Sequence, residues 1–184
     1  MYKASKQDAG FSLIELLTLV SLISLSLTWA IPQLKSFIYK AELRQALVDF
    51  EYYFLQARTQ ALSRQEMITI SRQAQTSQLW CLGMSLNPEG CDCWQFVPAS
   101  QACYLPYANT LQSLRLTSDT YPHVTWKNYS NGNQYINPYR GNISNRSFWL
   151  EIQHPHTRVK VIVSRTGRIR SCVDLGYLSG IDAC

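Results

Sequence analysis

Charge is scarce in this chain of 184 residues: Asp, Glu, Lys and Arg make up only 16%, against 12% aromatic residues. That balance excludes a disordered, self-repelling polypeptide and favours a folded, strand-rich body. Catalytic signatures are missing as well. There is no nucleophile elbow, no phosphate-cradling glycine loop and no pair of acids in a catalytic pattern, so neither an enzyme nor a cofactor is expected. No internal repeat and no flexible linker is visible, and the length suits one modest domain plus an anchor. Acids are thin in two further places. Between Phe11 and Ile31 there is one, Glu15, and between Thr157 and Cys172 there is none.

The first gap is a run of apolar side chains with a scatter of Ser and Thr. As a helix rising about 1.5 Å per residue it matches the roughly 30 Å hydrocarbon core of a bilayer. Glu15 is out of place there: a carboxylate one turn into a membrane helix costs on the order of 2.5–3.5 kcal/mol, so it needs a partner or a task. Before it, Met1–Gly10 is a short polar leader with Lys3 and Lys6, which by the positive-inside rule stays cytoplasmic while the remainder is exported. An ordinary secretory signal cut after Ala30 and a plain single-span anchor are the competing readings. Glu15 sits badly in the apolar region of the first, and the second leaves Gly10-Phe11 and Glu15 unexplained together.

Pro32 has no backbone N–H and is expected to kink or interrupt the helix where it leaves the membrane. Beyond it the pattern becomes one-faced: Leu43, Leu47, Phe50, Phe54, Ala57 and Ala61 recur at three- and four-residue spacing, with Lys40, Arg44, Asp49, Glu51, Arg58 and Arg64 mostly elsewhere. One long helix is predicted from about Ser12 to about Ser63. Strands follow at Met67–Ser71 and Gln78–Leu82 about a polar turn at Gln73–Ser77, then at Ser113–Thr117, Val124–Tyr129, Phe148–Gln153 and Arg158–Ser164. Asn87–Gly90 reads as a turn, and Ser130–Asn133 and Thr166-Gly167 as hairpins. Helix first and antiparallel strands afterwards, packed on its second half, is an α+β arrangement.

Six cysteines suit an exported domain. Cys91-Asp92-Cys93 with His123, His154 and His156 lacks the spacing of a zinc site, so no metal is expected and disulfides are. Cys172 and Cys184 are expected to pair, or one of them to tie the tail to the sheet. Cys81 is expected to take Cys91, Cys93 or Cys103.

The second gap lies in the most basic part of the chain. Formal charge is +5 overall, yet from Phe11 to Tyr139 eight basic residues meet eight acidic ones. From Arg140 to Cys184 seven basic residues face three acids, so the positive excess sits in the C-terminal quarter. A tight turn at Gly167 would present Arg165, Arg168 and Arg170 near its tip, with Arg158 and Lys160 on one face of the incoming strand. Clustered planar guanidiniums suit phosphate oxygens, and a shape-blind basic tip suits double-stranded DNA of any sequence. A solvated or subunit-contacting face is the other reading of the same residues.

Several stretches carry a family resemblance. Gly10-Phe11-Ser12-Leu13-Ile14-Glu15 resembles the signal of type IV prepilins and type II secretion pseudopilins. Ala57–Ala61 with Met67–Ile70, Ile136-Asn137-Pro138-Tyr139-Arg140-Gly141, and Gly167-Arg168-Ile169-Arg170 resemble segments of the minor-pilin group that includes FimT, FimU and the H pseudopilin (GspH). Asn137 and Tyr139 depart from that group's pattern. The resemblance implies a type IV pilin-like fold, with residues 1–10 a leader cleaved after Gly10 by a prepilin peptidase and Phe11 N-methylated. Residues 11–32 would be a transmembrane and filament-core helix, 33–64 the amphipathic helix of the globular domain, and 65–184 a periplasmic, disulfide-bearing β-rich domain. Glu15 would face the terminal amine of a neighbouring subunit. The implied partners are other major and minor pilins, the peptidase and an inner-membrane assembly platform. The implied location is the inner membrane, single-pass, and then a pilus or a pseudopilus. In FimT-like pilins the Gly-Arg-x-Arg element is implicated in binding DNA for natural transformation; in the FimU-like and H-like branches similar endings serve packing or subunit contact.

Overall fold

A computed structural model of the chain describes residues 12–107, 110–127 and 130–184. Gly10 and Phe11, with the rest of the leader, lie outside the described residues. One helix, α1 (Leu13–Arg64, 52 residues), opens the structure and is within a residue of the predicted span at each end. Pro32 lies inside it and, of the expected kink or interruption, the interruption does not occur. A proline removes one hydrogen bond from a ladder that is complete on both sides, and a helix this long survives the loss. The described residues fall into two units divided after Phe37.

In the first unit the apolar side chains of α1 are exposed on every side: Leu13, Leu17, Leu22, Leu25 and Trp29 are all at least half uncovered. Its hydroxyls turn back onto the helix. Thr18 donates to the Glu15 carbonyl at 2.9 Å, Ser21 to Thr18 at 2.8 Å, Ser24 to Val20 at 2.8 Å, Ser26 to Leu22 at 2.8 Å and Thr28 to Leu25 at 2.7 Å.

In the second unit α1 buries one stripe, Leu43, Ala46, Leu47, Phe50, Tyr53, Phe54, Ala57 and Ala61. All six positions singled out by periodicity are among them. The stripe meets two antiparallel sheets where a single one was expected. One has the order β5-β2-β1-β7, built from β1 (Ile68–Ala74), β2 (Trp80–Ser85), β5 (Arg115–Thr117) and β7 (Gly132–Ile136); the other has the order β10-β9-β8-β6, built from β6 (Thr125–Lys127), β8 (Arg146–Ile152), β9 (Thr157–Val163) and β10 (Ile169–Leu175). A two-stranded ribbon, β3 (Tyr104–Tyr107) with β4 (Thr110–Ser113), is a third sheet that pairs with neither, and its Leu105 is buried in the core. Phe50 sits at the junction of helix and sheets, with its ring centroid 5.5 Å from Trp80, 5.9 Å from Trp126 and 5.4 Å from Phe148. Burying large aromatics in tilted contact supplies most of the cohesion of a domain this size.

Polar clasps tie loops to the helix. The Tyr121 hydroxyl donates to Asp49, and burial, followed by that hydrogen bond and the carboxylate charge, raises the Tyr121 pKa far above the ordinary phenol value. Glu42 accepts from the His123 backbone at 2.7 Å and meets its ring Nδ1 at 2.7 Å, while the ring stacks on Tyr39 at 4.0 Å.

Three local expectations are corrected. The Ser130–Asn133 signal is not a hairpin: β6 pairs with β8 and β7 with β1, so the chain passes there from one sheet to the other. The first sheet turn lies at Gln75–Leu79, closed by Gln75 N–H to the Leu79 carbonyl at 2.9 Å, because β1 runs on past Ser71. The predicted Ser113–Thr117 strand is split at Leu114, whose carbonyl instead accepts from Met84 N–H at 3.3 Å and from the Tyr53 hydroxyl at 3.2 Å.

Candidate functional site

All six cysteines are paired, as Cys81–Cys93, Cys91–Cys103 and Cys172–Cys184. The leading expectation for the tail and one of the three open partners for Cys81 are the ones observed. The first two bonds draw the Cys91–Cys103 loop over the first sheet, where the Ser71 hydroxyl accepts from Cys91 N–H at 2.8 Å and Gln73 Oε1 from Cys93 N–H at 3.1 Å. The third folds the tail along β10, with Val173 N–H donating to the Asp182 carbonyl at 2.8 Å.

The predicted hairpin at Thr166-Gly167 joins β9 to β10. Ser164 builds its turn: the Ser164 carbonyl accepts from Gly167 N–H at 2.9 Å and its hydroxyl accepts from Arg168 N–H at 3.0 Å. Gly167 has φ +79°, the left-handed conformation that this three-residue loop needs at its last position. Arg165 and Arg168 are exposed on the turn and Arg170 is exposed on the strand leaving it. On β9 the outward positions are Arg158, Lys160 and Ile162, alternating with buried Val159, Val161 and Val163. Arg158 is neutralised by Asp174 at 2.8 Å. Among the described residues Arg165, Arg168, Arg170 and Lys160 form no ion pair.

Two features escaped the sequence reading. Register places Lys127, Trp149 and Lys160 in one row across the outer face of the second sheet, with Lys160 Nζ 5.4 Å from the Trp149 ring centre. Period-two alternation in β8 could have suggested Trp149, but the row depends on pairing. The other feature is Arg58. Its side chain runs from α1 between two glycines: a Cβ on Gly141 would stand 2.7 Å from Arg58 Nε, and one on Gly167 3.0 Å from Arg58 Cδ. The Ile143 N–H donates to the Arg165 carbonyl at 3.0 Å, which holds the Gly141 loop against the hairpin. Three of the segments that carried the resemblance therefore converge on one arginine stem, and both glycines are explained by close approach. The Arg58 stem anchors the turn from beneath while Arg165 and Arg168 are free on its outside.

Comparison with known proteins gives one structural likeness to report. The crystal structure of the Pseudomonas aeruginosa (strain PAO1) type IV minor pilin FimU in space group P21 is similar with a TM-score of 0.45 and 16% identity, covering 76% of this chain and 92% of that one. No protein-family profile matches the chain. No curated protein matches it in sequence.

Proposed function

We propose that the chain is a non-enzymatic filament subunit of the type IV pilin kind, held in a membrane by the first half of α1 until assembly. The observation that carries this is the division of α1: an apolar stretch with no buried residue and with its hydroxyls satisfied by its own backbone runs without a break into a helix that bears a disulfide-stapled β domain. A bilayer, or the close-packed helices of a filament core, is the environment that such a stretch demands. Glu15 would then pair with the new amino terminus of a neighbouring subunit, since a buried carboxylate is tolerable only with a partner. Mass spectrometry of the mature protein tests the reading. A chain beginning at N-methylated Phe11 supports it, and one beginning at Ile31, or still at Met1 in cells with an active peptidase, ends it.

A DNA-binding role is the second reading, favoured by Arg165, Arg168 and Arg170 beside the Lys127–Trp149–Lys160 row, a basic face with an aromatic set into it. Phosphate contacts of this sort are indifferent to sequence and weaken steeply with salt. Binding of the full chain in micelles to duplex DNA at two salt concentrations, with and without Arg168→Ala plus Arg170→Ala, separates the roles. Loss of binding with piliation intact supports the receptor, whereas loss of assembly with DNA binding intact supports a scaffold in a pilus or in a type II secretion pseudopilus.

A further inference from the structure

A cluster of polar groups lies away from the hairpin, on the outer face of the first sheet. Ser71 and Gln73 of β1 carry the Cys91–Cys103 loop there, and Gln73 gives it both ends of its carboxamide. Its Oε1 accepts from Cys93 N–H at 3.1 Å and its Nε2 donates to the Cys91 carbonyl at 3.3 Å. Asp92 and Trp94 are thereby held over this face on one side. On the other side Asn133 of β7 is paired with Ser71, so its side chain shares the same face, and Asn131 lies just before that strand. Between the two sides is a cleft of about 350 Å³, lined by Gln73, Asp92, Trp94, Asn131 and Asn133 among others.

Each wall is fixed, and each keeps polar capacity free. The Asp92 oxygens accept from Trp94 N–H and from the Gln95 amide, each at 3.0 Å, and a carboxylate has lone pairs for about two donors more. Asn131 Oδ1 accepts from Ala74 N–H at 2.8 Å and Asn133 Nδ2 donates to the Glu89 carbonyl at 2.9 Å. Among the described residues this leaves Asn131 its Nδ2 donor and Asn133 its Oδ1 acceptor. Trp94 packs against the disulfide cluster and also lines the cleft. None of these four side chains is buried. Charge then narrows the choice of ligand. An anion meets the Asp92 carboxylate. A cation meets Arg72, which stands on the opposite face of β1 but brings its Nη2 to the sheet edge, 3.4 Å from where a Cβ on Gly132 would be. What remains is a neutral molecule rich in hydroxyls.

We propose that this cleft binds a neutral sugar, its adjacent hydroxyls divided between Asp92 and the free carboxamide atoms of Asn131 and Asn133, and its ring laid along Trp94. A hydroxyl both donates and accepts, so acceptors and a donor set side by side match neighbouring hydroxyls of a pyranose, and an indole suits the apolar C–H side of the ring. Because the wall residues are already pinned by hydrogen bonds of their own, little side-chain ordering is left to oppose binding. The site goes beyond the filament and DNA readings and depends on neither.

The test uses the full chain, nitrogen-15 labelled, in micelles of a detergent without a sugar headgroup. The Trp94 indole N–H and Asn131 carboxamide resonances are followed while methyl glucoside, methyl galactoside or N-acetylglucosamine is added. Glucuronate and protonated glucosamine serve as the anionic and cationic counterparts, at constant ionic strength. A saturable shift of both resonances with at least one neutral sugar is expected, with several-fold weaker binding of the charged counterparts. Asp92→Asn keeps an acceptor for Trp94 N–H and removes the charge. It is expected to weaken neutral-sugar binding by about tenfold, the worth of a charge-assisted hydrogen bond, and to narrow the discrimination against glucuronate. Lys127→Gln plus Lys160→Gln, on the other sheet, is expected to leave binding unchanged. The wild-type titrations need no variant, so the test stays decisive should Asp92→Asn fail to fold. Resonances that ignore all three neutral sugars, charged counterparts that bind as tightly as neutral ones, or binding that survives Asp92→Asn at full strength or is lost in the lysine variant, overturn the proposal.

Discussion

The two halves of α1 share one backbone and almost nothing else. From Leu13 to Phe37 no side chain is buried, while from Leu43 to Ala61 eight are. The contrast shows that hydrophobicity and burial are separate quantities: the more apolar half is the less covered one, because the strands are built to fit the stripe that begins at Leu43. Stability of the β domain should therefore respond to the second half and ignore the first. Chemical unfolding of the full chain in micelles, followed by tryptophan fluorescence, measures both responses.

Phe50→Ala should have the largest effect. Phe50 is fully buried and touches Trp80, Trp126 and Phe148 across both sheets, so the truncation leaves a cavity that neither sheet can fill alone. A loss of about 3–5 kcal/mol is expected. A loss below about 1 kcal/mol would mean that the sheets cohere without the helix, and the contrast between the halves would lose its meaning.

Replacing Cys172 and Cys184 together by Ser should come next, at about 3 kcal/mol for a loop of this length. The bond closes a separation of 12 residues and keeps Leu178, which is fully buried, against the core. Arg44 Nη2 donates to the Ser179 carbonyl at 2.6 Å, so the tail also reports on the second half of α1. An Arg44→Ala variant additive with the double Ser variant would show that helix and disulfide hold the tail independently.

Tyr121→Phe is a smaller perturbation, with a pH signature. The native state holds the phenol proton more tightly than the unfolded chain does, because of burial and of Asp49. The stabilisation is therefore whole below the unfolded pKa of about 10 and drains away as pH rises above it. Wild type should lose stability from about pH 10 upward, with buried Tyr53, whose pKa burial also raises, contributing in the same direction. The variant should be weaker by about 1 kcal/mol at neutral pH and show a shallower alkaline decline. Equal slopes for the two proteins would place the Asp49 clasp outside the cooperative unit.

How much of this was legible from residues alone follows from the range of the forces involved. The helix was readable to within a residue because its stripe repeats locally, and β9 because Val159, Val161 and Val163 alternate strictly. The strand β10 was implied by the hairpin signal at Thr166-Gly167, but its span was not readable, since only Val173 on it is buried. At Asn131-Gly132 the local turn signal was real, but pairing of β7 with β1 outweighed it. The arginine hairpin was legible as a turn, whereas Arg58 beneath it was not, because its function depends on two glycines brought to it by tertiary contact. Arg72 fell between the predicted strand Met67–Ser71 and the predicted turn Gln73–Ser77; only the fold shows that it lies in β1 and is covered.

The smallest expected effect tests the other side of the comparison. Leu22→Ala removes as much apolar side chain as a core truncation would, yet Leu22 is 63% exposed in the described structure. Its side chain has no packing partners to lose on unfolding of the β domain, so the change should move the domain's stability by less than about 0.5 kcal/mol. On the proposed function its consequences belong to the lipid or filament environment, and membrane retention of the variant, measured by fractionation, is where they should appear. A loss above about 1 kcal/mol in the unfolding experiment would mean that the apolar half is part of the same cooperative unit as the stripe at Leu43–Ala61. The exposed hydrophobic surface from Leu13 onward would then require an explanation other than a membrane or a neighbouring helix.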